Sequence, residues 1–221
     1  MKDNFFSFST IKNFDDHFKK SIPRVDVLEQ NIIDLTNYFL IDNESINIYD
    51  IGCSAGRLLN KIIDRYNPKT NIIGIDREEN LLKEIENKKI MPWNLDLLKS
   101  FVLEDACIIY SIFTLQFLPI HCRLDVLKNI YNGLLDGGAF IFAEKVYSEN
   151  SKVQDIFTFL YYDFKKENFT EQEILIKEFS LRNQMKPLTV SENINLLNKV
   201  GFKTVEVFFQ QFNFMGVLCI K

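Results

Sequence analysis

The sequence predicts an α/β fold on a seven-stranded, mostly parallel sheet with one antiparallel strand close to its end. Three observations lead there. Short apolar runs alternate with helical patterns from residue 46 to residue 146, as strand–helix–strand crossovers do. The first run, Ile46-Asn47-Ile48-Tyr49-Asp50-Ile51, passes directly into Gly52-Cys53-Ser54-Ala55-Gly56. The last two runs, 204–210 and 213–220, are separated by a short turn around Phe212, and a hairpin there reverses one strand.

The elements follow in order. Residues 5–19 carry Phe5, Phe6, Phe8, Phe14 and Phe18 among polar residues, which predicts a helix or arm packed on the body. Val25, Val27, Leu28, Ile32, Ile33, Leu35 and Phe39 form a helical stripe over 24–39, with Pro23 near the first turn, and residues 1–40 read as a helical arm. Strand one covers 46–52, and helix 56–65 follows with Leu58, Leu59, Ile62 and Ile63 on its apolar face. Strand two is 71–76, helix 78–88 comes next, and a weak third strand covers 89–93. Strand four, 106–112, is a continuous apolar run, as expected of a strand covered on both faces. A helix over 121–134 ends at Asp136-Gly137-Gly138, and strand five is 139–146. Helical segments at 150–167, 170–183 and 190–200 then break the alternation, so 150–188 reads as an insertion that forms a lid or a dimerisation surface. Residues 1–221 read as a single domain.

Composition narrows the function. The net charge of -4 argues against a dominant nucleic-acid surface, which is normally basic. Cys53, Cys107, Cys122 and Cys219 show neither metal-ligand spacing nor a disulfide framework, and reduced thiols in a cytoplasmic protein are expected. No run is long enough to span a bilayer, and no secretory leader is expected. His17 and His121 lack metal-ligand neighbours and read as structural or surface residues, so no metal is expected.

The chemistry is concentrated at the first strand end. Gly52 and Gly56 flank a tight turn where a ligand can approach the backbone without a Cβ in the way. The strand end and helix start frame a nucleotide-sized crevice, and Asp76 at the second strand end suits ribose hydroxyls. A pyrophosphate-binding turn has a middle glycine, which Ser54 replaces here. Asp50 suits a cationic amine better than a phosphate. Ribose, a cationic amino-acid tail and no phosphate point to S-adenosyl-L-methionine (SAM), and the seven-stranded arrangement resembles the Rossmann-like class I SAM-dependent methyltransferase fold.

Asp50-Ile51-Gly52-Cys53-Ser54, Phe113-Thr114-Leu115-Gln116-Phe117-Leu118, Ile130-Tyr131-Asn132-Gly133-Leu134, Asp136-Gly137-Gly138-Ala139 and Asp163-Phe164-Lys165-Lys166 carry a closer resemblance. With Lys199-Val200-Gly201-Phe202 and Phe208, Gln210, Phe212, Asn213 and Phe214, they are similar to the carboxy-S-adenosyl-L-methionine (carboxy-SAM) synthases. The resemblance runs from about residue 14 to the C-terminus. It implies an enzyme that makes carboxy-SAM from SAM and prephenate for tRNA wobble-uridine modification, and that is typically a dimer. It also implies Gly52, Cys53 and Ser54 at the ligand turn, Asp76 and Arg77 at the ribose, and Asp96 and Leu97 at the adenine.

The sequence departs from the family at the other end of the ligand. An arginine that grips the added carboxylate falls at Glu178, an asparagine at Ile112, and a tyrosine at Val25. An acid would repel a carboxylate that an arginine holds. Arg182, four residues on, pairs with Glu178 or replaces the missing arginine. Tyr161 and Tyr162 stand where the family has two histidines, and with Asp163 they read as substrate-facing lid residues: a ring or hydroxyl near the sulfonium, and a general base. Lys145 and Glu144 end strand five at the substrate edge, and Trp93 is expected near the adenine or the sheet edge. The expected activity is therefore SAM-dependent methyl transfer to a small molecule, in a homodimer with no direct nucleic-acid contact. Carboxy-SAM synthesis, intramolecular displacement at the sulfonium and non-catalytic SAM binding are the alternatives.

Overall fold

The computed structural model describes residues 14–221, so Phe5, Phe6 and Phe8 of the aromatic arm lie outside the described residues. The strands are β1 (Asn47–Ile51), β2 (Asn71–Asp76), β3 (Ile90–Asn94), β4 (Ala106–Ile112), β5 (Leu134–Lys145), β6 (Thr204–Gln211) and β7 (Phe214–Ile220). They form one sheet in the order β3-β2-β1-β4-β5-β7-β6. β1 pairs in parallel with β2 and β4, β2 with β3, and β4 with β5. β7 runs antiparallel to both β5 and β6, the one reversed strand that the terminal hairpin predicts. Phe212 takes a positive φ of 48° in that hairpin's turn.

Period-2 alternation divides β4 between two cores. Ile109 faces a cluster with Phe140, Phe142, Leu127 and Ile130, beside Leu197. Ile108 and Tyr110 face the other, with Leu28, Ile32, Leu59 and Ile62. Helices α2 (Val25–Phe39) and α3 (Arg57–Tyr66) thus cover one face, and α5 (Ile120–Gly133) and α8 (Val190–Val200) the other. Both faces being covered explains the unbroken apolar run of β4. Truncating a side chain such as Ile108, which is fully buried, is expected to cost about 2–5 kcal/mol. The buried Tyr110 hydroxyl meets Thr36 Oγ1 at 2.7 Å, and Thr36 in turn donates to Ile32 O, tying α2 to β4.

Two elements differ from expectation. The helix expected over 78–88 is only the single turn α4 (Glu79–Leu82). Beyond Ile85 the sequence offers no apolar face, and Asn87 Oδ1 accepts from Lys89 N at 3.1 Å, a local turn that competes with the helix. Strand β5 begins at Leu134 rather than 139, because Asp136-Gly137-Gly138 pairs onward: Gly137 N donates to Lys221 O and Lys221 N to Gly138 O, each at 3.1 Å.

The chain goes from β1 outward to β2 and β3, then returns past β1 to β4. That reversal opens a crevice at the carboxyl ends of β1 and β4. Residues of α1 (Phe14–Ser21), α6 (Ser151–Lys166) and α7 (Glu171–Arg182) flank the cavity in this crevice. Among the described residues, no helix is long and apolar enough to cross a membrane.

Candidate functional site

The turn after β1 is built by close approach. A Cβ on Gly52 would lie 2.0 Å from Thr114 Oγ1, and the residue holds φ at +79°, so only glycine fits. Gly52 N and Cys53 N both donate to Ile75 O, at 2.7 and 3.0 Å, drawing the turn against β2. Ser54 N then donates to Asp76 Oδ2 and Glu78 N to Asp76 Oδ1, each at 2.9 Å. Asp76 is thereby fixed by two backbone N–H groups, and each of its oxygens keeps a lone pair for a ligand hydroxyl. Ser54 Oγ is buried with no hydrogen-bond partner, a polar atom that a ligand would satisfy.

These groups line a cavity of about 570 Å³, within the range of small-molecule sites. Asp50, Gly52, Cys53, Ser54, Asp76, Arg77, Asp96, Leu97 and Ile112 all line it. Asp50 is buried beneath the turn. Burial pushes its carboxyl up to about 7, against the pull of the Arg57 guanidinium and with a smaller push from Asp76. Burial likewise pushes the Cys53 thiol up, so it is no nucleophile. Asp96 Oδ1 accepts from Leu98 N at 3.0 Å, and Arg77 pairs with Glu78 at 3.3 Å. Gly56 does not line the cavity. Its positive φ of 74° starts α3, and Gly56 N donates to Cys53 O at 2.9 Å, closing the turn behind.

The roof is basic around one acid. Lys145 Nζ lies 3.5 Å from Glu178 Oε1, and both side chains are mostly buried. The same ammonium stands 4.8 Å over the Tyr161 ring, and Lys165 Nζ lies 5.1 Å from that ring. Lys165 is 1% exposed, and burial lowers its ammonium to about 8, with Glu178 raising and Lys145 lowering it. Burial and then the Lys165 charge lower Lys177 to about 7. Lys177 meets His17 Nε2 and, at 3.3 Å, Ser21 Oγ, while burial and the Lys177 charge bring His17 down to about 4.

Several expectations about the roof are corrected. Glu178 pairs with Lys145 across elements and not with Arg182 along its own helix. Tyr161 does line the cavity, but its hydroxyl donates to Ser21 O at 3.1 Å and its ring is flanked by lysines. Tyr162 and Arg182 line a smaller neighbouring cavity instead. Asp163 lines neither cavity; it is largely exposed beside Lys166, which leaves a general-base role without geometric support. Val25 is 2% exposed and packs behind the cavity wall, against Ile22, Tyr161 and Phe214, and does not itself line the cavity. His17 is a cavity residue and not a surface one, whereas Trp93 stands on the edge strand β3 and is 37% exposed.

Sequence reasoning missed Lys177, Phe113 and Gln116 as cavity residues. Gln116 accepts from Lys145 N at 2.8 Å through its side chain and from Lys186 N at 2.7 Å through its carbonyl. The buried Arg123 donates to Gln116 O at 3.2 Å and to Lys186 O, stapling the end of the roof to the loop after β4. Glu29, buried, pairs with Arg57 and, at 2.8 Å, with Lys61. A buried acid or arginine deep in an apolar helix stripe was the available signal.

No protein-family model matches the chain. A carboxy-SAM synthase of Staphylococcus epidermidis is 36% identical over 222 residues, covering 98% of this chain and 96% of the relative. That of Nautilia profundicola is 34% identical over 218 residues, covering 94% and 90%. Among solved structures, human N-acetylserotonin methyltransferase in complex with SAM matches 88% of this chain with a TM-score of 0.57 at 16% identity. Haemonchus contortus phosphoethanolamine N-methyltransferase 2 matches 87% with a TM-score of 0.62 at 13% identity. The chain spans 55% and 52% of the length of those two enzymes, and the likeness is one of fold. The chain belongs to the carboxy-S-adenosyl-L-methionine synthase family.

Proposed function

We propose that this member of the family binds SAM in the cavity at the β1 and β4 strand ends and converts it to carboxy-SAM, with prephenate as the second substrate that the resemblance implies. The cavity volume, the doubly anchored Asp76, the acid at Asp50 and the unsatisfied Ser54 Oγ support SAM as the ligand. Asp76 holds the ribose hydroxyls, Asp50 as carboxylate holds the ammonium of the amino-acid tail, and Asp96 and Leu97 flank the adenine. Bound SAM supplies an activated sulfonium, and the residues around it orient the ligand and exclude water.

The observation that carries carboxy-SAM synthesis over methyl transfer is the Lys145–Glu178 pair. It neutralises the acid that stands where the family has arginine. Lys165 and Lys177 lie close enough to that pair for the charges to shift one another, so the roof favours an incoming carboxylate. The expected loss of carboxylate recognition does not follow once Glu178 has a cationic partner. The apolar Ile112 in the cavity wall is the feature that favours the methyltransferase reading.

Incubating the full chain with SAM and prephenate and following SAM by mass spectrometry tests the proposal. Carboxy-SAM is the expected product. Unchanged SAM, or S-adenosylhomocysteine with a methylated third compound, overturns it. The outward faces of α6 and α7 expose Phe159, Leu175, Ile176 and Phe179, which supports the homodimer; sedimentation as a monomer at working concentration would refute that part.

A further inference from the structure

A chain of four aromatic rings crosses one wall of the large cavity. Phe18 of α1, Phe113 beyond β4, Phe214 of β7 and Tyr161 of α6 all line it. Phe113 meets Phe18 with ring centroids 5.7 Å apart and Phe214 at 6.0 Å, and Phe214 meets Tyr161 at 5.3 Å, each pair edge to face. We propose that the Phe113 ring is the platform for the sulfonium of SAM, so that this wall selects ligands with a charged sulfur over neutral thioethers. The proposal rests on SAM lying with its ribose at Asp76 and its ammonium at Asp50, as read above, and not on which group is transferred.

The backbone of Phe113 is the first support. It holds a positive φ of 58°. For a bulky side chain that is a strained conformation, and such strain persists where the surroundings enforce it, with a bias toward ligand sites. Phe113 N donates to Ala143 O at 2.7 Å, and the next residue, Thr114, packs against Gly52. Core packing alone does not call for this turn, because the ring that it places in the cavity wall stays only half-buried, whereas its neighbour Phe214 is buried.

Placement is the second support. β1 stands between β2 and β4 in the sheet. The sulfonium of SAM is bonded to the ribose carbon on one side and to the amino-acid chain on the other, so it lies between Asp76 at the end of β2 and Asp50 in β1. The neighbouring strand end on the far side of β1 is that of β4, where Phe113 directly follows Ile112. Acids of the cavity wall are engaged elsewhere: Asp76 with the hydroxyls, Asp50 with the ammonium, Glu178 with Lys145, and Glu29 with Arg57 and Lys61. A ring face attracts a cation without a formal charge, the more so when water is excluded. Phe18 already does this for Arg57, whose guanidinium carbon lies 4.4 Å from its centroid.

Calorimetric titration of the full chain with SAM and with S-adenosylhomocysteine, which lacks both the methyl group and the charge, tests the platform. SAM is expected to bind at least about fivefold more tightly, the ratio that a desolvated cation–ring contact supplies. Sinefungin, which carries an ammonium where SAM has its methylsulfonium, should share that advantage and supplies the test without a substitution. Phe113→Leu keeps an apolar side chain but removes the ring; the preference for SAM should fall by about fivefold or more while S-adenosylhomocysteine binds nearly as before, and Phe113→Tyr should retain it. Melting temperatures check that both variants fold. Equal affinity for SAM and S-adenosylhomocysteine, an advantage that sinefungin does not share, or a preference that Phe113→Leu leaves intact overturns the platform, whether or not the chain makes carboxy-SAM. The expected pattern in a chain that makes no carboxy-SAM upholds the platform and overturns the function proposed above.

Discussion

Lys145 and Glu178 form an ion pair at 3.5 Å across the roof of the cavity, in place of the Glu178–Arg182 pair that helical spacing offers. One acid that would repel a carboxylate is thereby turned into part of a cation-rich wall, and Arg182 is released toward the neighbouring cavity. The balance of the site between SAM and its carboxylated product depends on this pair.

Glu178→Gln removes the acid and leaves the Lys145 charge in the roof. Carboxy-SAM affinity should rise severalfold relative to SAM. The lost pair should cost about 1.5–3 kcal/mol of stability, the range for a hydrogen bond to a charged group. Calorimetric titration with the two ligands and a denaturant melt measure both effects; a fall in carboxy-SAM affinity would contradict the assignment.

Asp76→Ala removes the ribose acceptor together with the partner of Ser54 N and Glu78 N. SAM binding should weaken by about 1–3 kcal/mol. Unchanged SAM affinity by calorimetry would refute the ribose assignment.

Three ionisations should shape the pH dependence. Asp50, held near 7 by burial, must lose its proton to hold the SAM ammonium. SAM affinity should therefore fall by up to about tenfold per unit below pH 7 and level off above it. Lys177, near 7, and Lys165, near 8, lose positive charge as the pH rises, so affinity for an anionic second substrate should fall across that window. The two limbs give a bell-shaped kcat/KM. A SAM affinity that is flat between pH 5.5 and 8 would exclude Asp50 as the ammonium partner, a window set by one to two units about its value near 7.

Tyr161→Phe deletes the hydroxyl bond to Ser21 O and should cost about 1 kcal/mol of stability, with little change in turnover. Asp163→Asn should change neither, since Asp163 is exposed outside both cavities. A large loss of turnover in Asp163→Asn at unchanged stability would restore it as a base.

The alternation of strands and helices, the glycine turn and Asp76 were legible because each has a local signature: a period, a positive-φ residue, an acid at a strand end. The extended start of β5 was not, since Gly137 and Gly138 owe their pairing to Lys221, more than eighty residues away. The roof was legible as helices but not as chemistry. Helical spacing offers Arg182 to Glu178, but it does not reveal that folding brings Lys145 from β5 close enough to take the acid. Nor does a sequence disclose that the Tyr161 hydroxyl is consumed by α1.

The most direct measurement of the central claim is a calorimetric titration of the unmodified chain with SAM and with carboxy-SAM at pH 7.5, chosen just above the Asp50 value of about 7. The account predicts tighter binding of carboxy-SAM, because the added carboxylate meets the Lys145 wall. Tighter binding of SAM would contradict it and return Glu178 to the role of a repelling charge in a small-molecule methyltransferase.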